Sequence, residues 1–450
     1  MQSATVSTTT KTENVFEGVT PYHWLVVIVA ACGWLFDCMD QRIFALCRGP
    51  SLKEILGSGA SDAAVKAWGG WATATMMIGW ATGGIIFGTL SDRLGRKKTM
   101  ILTLLVYSGF TGLSGFAHHP YEFLAYRFLT GIGIGGMFGA ATTLVAESVP
   151  GAFRSVALGM LQALSAVGNL IGSILSTQIQ PGKGEVLFGL TGWRVLFFVG
   201  VLPALLVVPI MFVLKEPEAW QNAKRAAQAS GGKPAQVGSI GALLSQPRWR
   251  KNLFVGIGLG LSGMAGLWGI GFFSPELISA ALKGEPQLVV DRVRGWGTAM
   301  QDVGSFLGMM SFTFVATYVG RKVAFGAAFA LCLASTLYVF NALHSVSDAY
   351  WMLPLMGFAQ LSVFGGYSIY FPELFPTRLR GTGIGLCYNT VRYLAAGFPV
   401  LLVSMNQWFM NSGVQEPFRK SATILSFVFL LGLVSLIWAP ETKGEPLPED

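Results

Sequence analysis

Runs of about 20 apolar residues, the length a helix needs to cross roughly 30 Å of hydrocarbon, recur from one end of this chain to the other. Twelve are legible, at residues 22–46, 68–90, 99–117, 121–146, 155–177, 193–214, 253–279, 295–318, 323–343, 350–371, 381–405 and 422–439. Inside a bilayer each backbone N–H and C=O must be satisfied within its own segment, so the runs can only be helices. The predicted fold class is therefore all-α integral membrane. Composition agrees, since 52% of the residues are hydrophobic, only 12% are charged and the mean hydropathy is +0.55. A soluble chain of 450 residues would lack the polar surface it needs. The first 21 residues are polar and Thr-rich, without the basic start and cleavage pattern of a secretory signal, so the first span is expected to remain.

Lysine and arginine set the expected topology. Most of the 31 basic residues fall in the two tails and in the loops after spans 2, 4, 6, 8 and 10, which places both termini in the cytoplasm. The net charge of +8 then needs no nucleic-acid partner. The lipid bilayer is the expected surrounding, a bacterial inner membrane suits the short tails and loops, and a monomer is expected. The predicted division is a cytoplasmic tail (1–21), a six-helix half (22–214), a basic Gly/Ala/Ser/Gln-rich cytoplasmic linker (215–252), a second six-helix half (253–439) and a cytoplasmic tail (440–450). An internal repeat supports two pseudo-symmetric halves. Glu147, Pro150 and Arg154 recur at the same spacing as Glu373, Pro376 and Arg380, and Gly95-Arg96-Lys97 recurs as Gly320-Arg321-Lys322.

Between spans 2 and 3 the chain reads GTLSDRLGRKK, Gly88 to Lys98. Four cations, Arg93, Arg96, Lys97 and Lys98, pin this turn to one membrane face. Gly88 and Gly95 permit close backbone approach or positive φ, and Asp92 can accept from a helix N-terminus or pair with an arginine. Glu147 with Arg154, and Glu373 with Arg380, lie at the same face, at interfacial depth, where they suit an inner gate better than substrate contact.

Charges within spans are expensive and ask for a reason. Asp37 and Asp40 are three residues apart and share a helix face. At 1.5 Å per residue they lie about 20 and 24 Å deep, a level Arg127 in span 4 also reaches. One cation between two carboxylates leaves the second free to exchange a proton, as a proton carrier requires. A static ion pair between spans 1 and 4 is the alternative. Arg392 lies about 18 Å into span 11 with Asn389 on the same face, placed for bidentate capture of a carboxylate. Its alternative is a structural partnership with Asp302 in span 8. Gln162 and Asn169, and likewise Gln360 and Tyr367, are seven apart and form polar stripes that suit a hydrated cavity or helix–helix hydrogen bonds. Trp34, Phe36, Phe44, Trp268, Phe272 and Phe273 are candidates for an aromatic wall. GIGIGG, Gly131 to Gly136, fits a dinucleotide pattern but lies inside a membrane span, so close helix packing through Gly131 and Gly135 is the better reading. Five cysteines lack C-x-x-C spacing, and His118 and His119 have no clustered ligands. No metal or cofactor is expected beyond the proton, and no nucleophile–base arrangement points to an enzyme.

The Gly88–Lys98 turn resembles the loop 2–3 signature of the major facilitator superfamily, G-x-L-x-D-R-x-G-R-K. That resemblance implies twelve helices in two six-helix halves and transport by alternating access. The Glu-to-Arg repeats, KEPEAW after span 6 and PETKG near the C-terminus look like the sugar-porter branch, but the Gln-Gln-x-x-Gly signature expected in span 7 is absent. Asp37, Asp40, Arg127, Glu147, Arg380 and Arg392 look like those of the aromatic-acid:proton symporters and related sialate and lactate carriers, with Cys38 and Met39 departing from the usual residues between the aspartates. The resemblance implies symport of a small organic carboxylate with protons: Asp37, Asp40 and Arg127 couple the proton, Arg392 and the polar stripes with Asp302 bind substrate, and Gly88–Lys98 with the Glu/Arg repeats form the gate. A sugar or polyol porter is the alternative, with a non-transporting membrane sensor behind it.

Overall fold

The computed structural model describes residues 15–57, 59–229 and 237–449. Most of the N-terminal tail and residues 230–236 of the linker lie outside them. Long helices begin where side chains can satisfy their first N–H groups. Pro21 opens α1 (Pro21–Leu56) after Thr20; Ser61 accepts from the Ala64 N–H at the start of α2 (Asp62–Leu94); Glu122 accepts from His118 and His119 N–H groups before α4 (Pro120–Ser148). Between them, α3 (Arg96–Ser114) follows α2 after Gly95 alone, whose φ of 113° is open to glycine and strained for other residues.

α5 (Gly151–Ile179) completes the five continuous spans of the first half. A two-stranded antiparallel hairpin, β1 (Glu185–Leu187) and β2 (Leu190–Thr191), leads from it to the sixth span. That span is broken into α6 (Gly192–Val199), a 3-10 turn at Leu202–Leu206 and α7 (Val207–Val213), because Pro203 cannot donate to a continuous helix. The linker contains α8 (Glu218–Ala229) and α9 (Ile240–Ser245).

In the second half, α10 (Pro247–Gly269) and α11 (Ser274–Ala281) form a broken seventh span, and α12 (Gln287–Tyr318), α13 (Arg321–Ala342) and α14 (Val346–Glu373) are continuous. α15 (Arg380–Ala395) and α16 (Gly397–Asn411) make the eleventh span, and α17 (Pro417–Ser426) with α18 (Phe429–Ser435) the twelfth. Among the described residues ten segments are apolar and long enough on their own to cross a membrane. The other two of the twelve, α3 and α12, carry charge, with Arg96-Lys97-Lys98 opening α3 and Asp302 within α12, and they are held in the bundle by their neighbours.

Glycines set the packing of each half. A Cβ at Gly79 or Gly83 of α2 would strike the Phe128 or Ile132 carbonyl of α4, and one at Gly131 or Gly135 would strike the Met76 or Trp80 carbonyl in return. The GIGIGG motif is thus a packing surface. Gly304 and Gly308 of α12 meet the Pro354 and Phe358 carbonyls of α14 in the same way, so both halves repeat one close helix pair. The halves meet along α2 against α15 and α5 against α12. The described segments nearest the two termini, the start of α1 and the 440–449 tail, lie on the face of the Gly95 turn: the Lys215 N–H donates to the Tyr22 hydroxyl there, and the Tyr370 hydroxyl to the Pro440 carbonyl. This is called the terminus face below.

Candidate functional site

Arg392 is the ionisable residue that the interface between the halves encloses most unusually. It lies in the last turn of α15, which ends at Ala395 before the break at Gly397. The side chain is 3% exposed. Its guanidinium carbon sits 3.6 Å from the ring centroid of Trp80 and 4.9 Å from that of Tyr388, a cation–π contact on both counts. Tyr388 stacks on Phe138 at 4.0 Å, and Phe138 meets Trp34 at 5.0 Å. Rings from α1, α2 and α4 therefore enclose a cation from the other half. Among the described residues Nε and Nη1 of Arg392 have no hydrogen-bond partner, nor do the buried indole N–H groups of Trp34 and Trp80. One turn earlier, Asn389 uses its amide nitrogen on the Gly385 carbonyl (3.1 Å) and leaves Oδ1 unengaged among the described residues; Gln162 of α5 likewise leaves Oε1 unengaged.

Of the aromatic candidates in the sequence, Trp34 belongs to this box, and Phe44 lies beneath Arg127 instead; the Phe272 side chain lies outside those described. Trp80 was legible, since it stands four and eight residues before Gly84 and Gly88 and so on the same helix face. That face meets α15: a Cβ at Gly84 would strike the Asn389 amide, and one at Gly88 would come within 2.6 Å of the Gly381 carbonyl.

Asp37 and Asp40 of α1 are fully buried. Asp40 Oδ2 lies 3.7 Å from Arg127 Nη1, a loose pair, because Arg127 spends its stronger donors on Ser114 Oγ (2.7 and 3.0 Å) and Thr130 Oγ1 (3.1 Å). Its guanidinium also lies 4.8 Å from the Phe197 ring centroid. Among the described residues neither oxygen of Asp37 makes a hydrogen bond of full geometry, although the Tyr107 side chain lies beside it.

Several residues predicted to contact substrate have partners within the protein. Asp302 does not reach Arg392; it accepts from Arg42 Nη2 at 2.7 Å. Tyr367 donates to the Leu259 carbonyl of α10 (2.7 Å), and the Gln360 amide nitrogen donates to Thr336 Oγ1 of α13 (3.0 Å), so both make helix–helix bonds. Asn169 is half-buried on α5. The sequence reading overlooked Arg42, which was the signal for the partner of Asp302: an intramembrane cation two residues beyond Asp40.

On the terminus face the predicted pairs exchange partners. Glu147 takes Arg96 (Nε to Oε2 and Nη2 to Oε1, both 2.9 Å) and Arg380 of the other half, rather than Arg154. Glu373 takes Arg321 at 2.7 Å and Thr442 Oγ1 at 2.5 Å, rather than Arg380. The reason is geometric: Nε of Arg154 and Nε of Arg380 each donate to the carbonyl eight residues back, Ala146 and Pro372, which turns them away from the acid of their own repeat. Asp92 lies 3.3 Å from Arg96 and also accepts from the Gly381 N–H (2.9 Å), the Thr382 N–H (2.8 Å) and Thr382 Oγ1 (2.7 Å), so it caps α15 across the interface. Arg93 stays exposed and reaches only the Val237 carbonyl, at 3.4 Å.

KEPEAW and PETKG acquire a role here that the sequence reading left open. Glu216 accepts from the N–H groups of Arg96, Lys97 and Lys98 at the start of α3, and Glu441 from those of Arg321 and Lys322 at the start of α13. The two acids are 225 residues apart, the separation of Gly95 and Gly320, so the repeat held this information. Partial burial pushes the Glu441 carboxyl up, but backbone N–H donors from Arg321, Lys322, Lys443 and Thr442 outweigh it and hold it below the ordinary glutamate range.

A cavity of about 670 Å³ lies on this face between Arg248 and Lys251 of α10 and the 440–449 tail, remote from Arg392. Among the described residues no group of three or more His, Cys, Asp or Glu is placed to hold a metal ion.

Comparison with known proteins agrees with this architecture. Residues 30–399 match the model of the Major Facilitator Superfamily. The chain is 30% identical over 379 residues to a cis,cis-muconate transport protein of Acinetobacter baylyi, covering 82% of this chain and 84% of that one. It is 29% identical over 329 residues to the sialic acid transporter NanX of Escherichia coli, covering 73% and 75%. The proton:xylose symporter XylE superposes with a TM-score of 0.72 at 19% identity, over 95% of this chain and 98% of that one, which is a likeness of fold. The chain belongs to the Major Facilitator Superfamily and is a membrane transporter rather than an enzyme.

Proposed function

We propose that the protein is a proton-coupled symporter of a small organic carboxylate, working by alternating access. The observation that carries this reading is Arg392: a buried guanidinium between the halves, with no acid partner and with Nε and Nη1 unengaged, inside a box of four rings. A carboxylate can take both N–H groups side by side, and the rings favour a flat or unsaturated body behind it. A neutral sugar would leave the cation unpaired, which disfavours the polyol alternative. The transporters of muconate and sialic acid among the relatives are named for acids, in line with this choice.

Asp37 is the proton carrier in this reading, since neither of its oxygens is committed, while Asp40 and Arg127 hold each other loosely beside it. Asp92, Arg96, Glu147 and Arg380, with Gly88 and Gly95 permitting the approach, close the inner gate, supported by Arg154 and Glu373. The terminus face is cytoplasmic, in keeping with the lysine and arginine bias, and the protein works as a monomer in a bacterial inner membrane.

The test is uptake into proteoliposomes of benzoate, muconate, lactate, sialate and glucose, with and without an inward proton gradient. Gradient-driven accumulation of one acid, lost in Arg392→Ala and not recovered in Arg392→Lys, is the expected result. Accumulation of glucose that survives Arg392→Ala would sink the reading.

A further inference from the structure

The terminus face is closed by many bonds between the halves: Asp92 to the start of α15, Arg380 to Glu147, Arg96 Nη2 to the Thr377 carbonyl (2.7 Å), Arg321 Nη2 to Ser155 Oγ (2.5 Å) and Ser368 Oγ to the Leu158 carbonyl (3.0 Å). Towards the opposite face the described side-chain bonds between the halves are two. Thr82 Oγ1 and Tyr393 Oη lie 2.6 Å apart, between exposed hydroxyls. Arg42 and Asp302 form the ion pair between α1 and α12.

We propose that Arg42–Asp302 is the latch of the face opposite the termini, a pair that must part to admit solute to the Arg392 box. Position is the first argument. α1 starts at the terminus face, and Arg42 lies five residues beyond Asp37, about 7.5 Å nearer the opposite face at 1.5 Å per residue. The pair therefore stands between that face and the site. Exposure is the second. Both side chains are 29% exposed, whereas Asp92, Arg96, Glu147 and Arg380 on the terminus side are 0%. A pair that water reaches can exchange its partner for solvent, which a latch opening in every cycle requires. The third argument is confinement of the cation. A Cβ at Gly172 of α5 would come within 2.9 Å of the Met39 carbonyl and 3.0 Å of Arg42 Cβ, so α5 holds the arginine stem closely and aims its head across to α12. Charge in a membrane span is costly, and two opposite charges on different halves are retained where their meeting is conditional.

The experiment reads access without requiring a transported solute, so it stands or falls apart from the carboxylate reading. Cys38, one turn before Arg42 and 7% exposed, is kept as the sole cysteine, and an impermeant thiol reagent is applied from the face opposite the termini. Asp302→Asn and Arg42→Gln each raise the labelling rate, by up to about fivefold, the factor an ion pair of this exposure sustains. The exchanged pair, Arg42→Asp with Asp302→Arg, brings the rate back towards wild type, a recovery that general loosening of the fold would not give. As a second measurement, Arg42→Cys with Asp302→Cys in a background that keeps Cys38 as the sole other cysteine is closed with one equivalent of a short bis-maleimide, which takes the more exposed pair before Cys38 and lowers the later labelling of Cys38 from the face opposite the termini. Labelling of both single variants at the wild-type rate, or no protection by the cross-link, would overturn the proposal.

Discussion

Asp92→Asn tests how the two halves are held together on the terminus face. The substitution keeps the shape of the side chain and removes its charge. Asp92 receives three hydrogen bonds from Gly381 and Thr382 and contributes to neutralising Arg96. A bond to a charged group is worth about 1.5–3 kcal/mol, and the asparagine keeps one acceptor oxygen while turning an amide N–H toward a donor. Losing one to two of the three bonds weakens closure by about 3 kcal/mol, or roughly a hundredfold in the balance between closed and open. Glu147 still pairs with both arginines, so the fold itself survives. Spin labels on Lys98→Cys and Val323→Cys, exposed positions at the ends of α3 and α13 on this face, report the separation of the halves. The expected result is a second, longer distance population that dominates in Asp92→Asn. A lowered thermal midpoint with an unchanged distance distribution would refute the reasoning, because Asp92 would then stabilise the protein without holding the gate.

Three further outcomes follow from the same geometry. The Glu441 carboxyl is held below its ordinary range, so docking of the 440–449 tail is complete above the unfolded glutamate pKa, near 4.3, and is lost as pH falls through the lower folded value; protection of the tail amides against hydrogen exchange, relative to their intrinsic rates at each pH, should fall on acidification, and Glu441→Gln should reproduce that loss at neutral pH. Gly135→Leu drives a side chain into the Trp80 carbonyl and the Gly84 nitrogen, and overpacking of this kind costs about 1–3 kcal/mol or more, so the thermal midpoint should drop, while the same change at Gly109, where a Cβ meets nothing, should leave it near wild type. Glu54 receives Trp193 Nε1 (2.6 Å) and Arg194 Nε (3.1 Å) but is 36% exposed, so Glu54→Gln should cost no more than about 1 kcal/mol and barely move the midpoint.

The membrane character, the helix count and the division into halves were legible because each rests on local chemistry: apolar length, cation bias and a repeat carried by particular glycines, acids and arginines. Gly131 and Gly135 were also read correctly as packing residues, since a nucleotide loop cannot lie within a membrane span. Breaks in spans 6, 7, 11 and 12 were missed because a hydropathy run does not register a local interruption of the helix, whether at a proline or glycine or, as in span 12, at neither. Trp80 could have been found from its spacing to Gly84 and Gly88, and Glu216 from its separation from Glu441. The charge pairings could not. Arg380 reaching Glu147, and Arg42 rather than Arg392 reaching Asp302, depend on how two halves distant in sequence turn toward each other.

The sequence by itself determined which residues are charged within the membrane and roughly how deep each lies, because rise per residue is fixed once a span is helical. Only the tertiary structure decided which of those charges are neutralised. Partner choice at the interface is a matter of side-chain direction and a few ångströms between helices, and it left Asp302 paired, Asp40 loosely paired, and Arg392 enclosed by rings with two N–H groups unengaged.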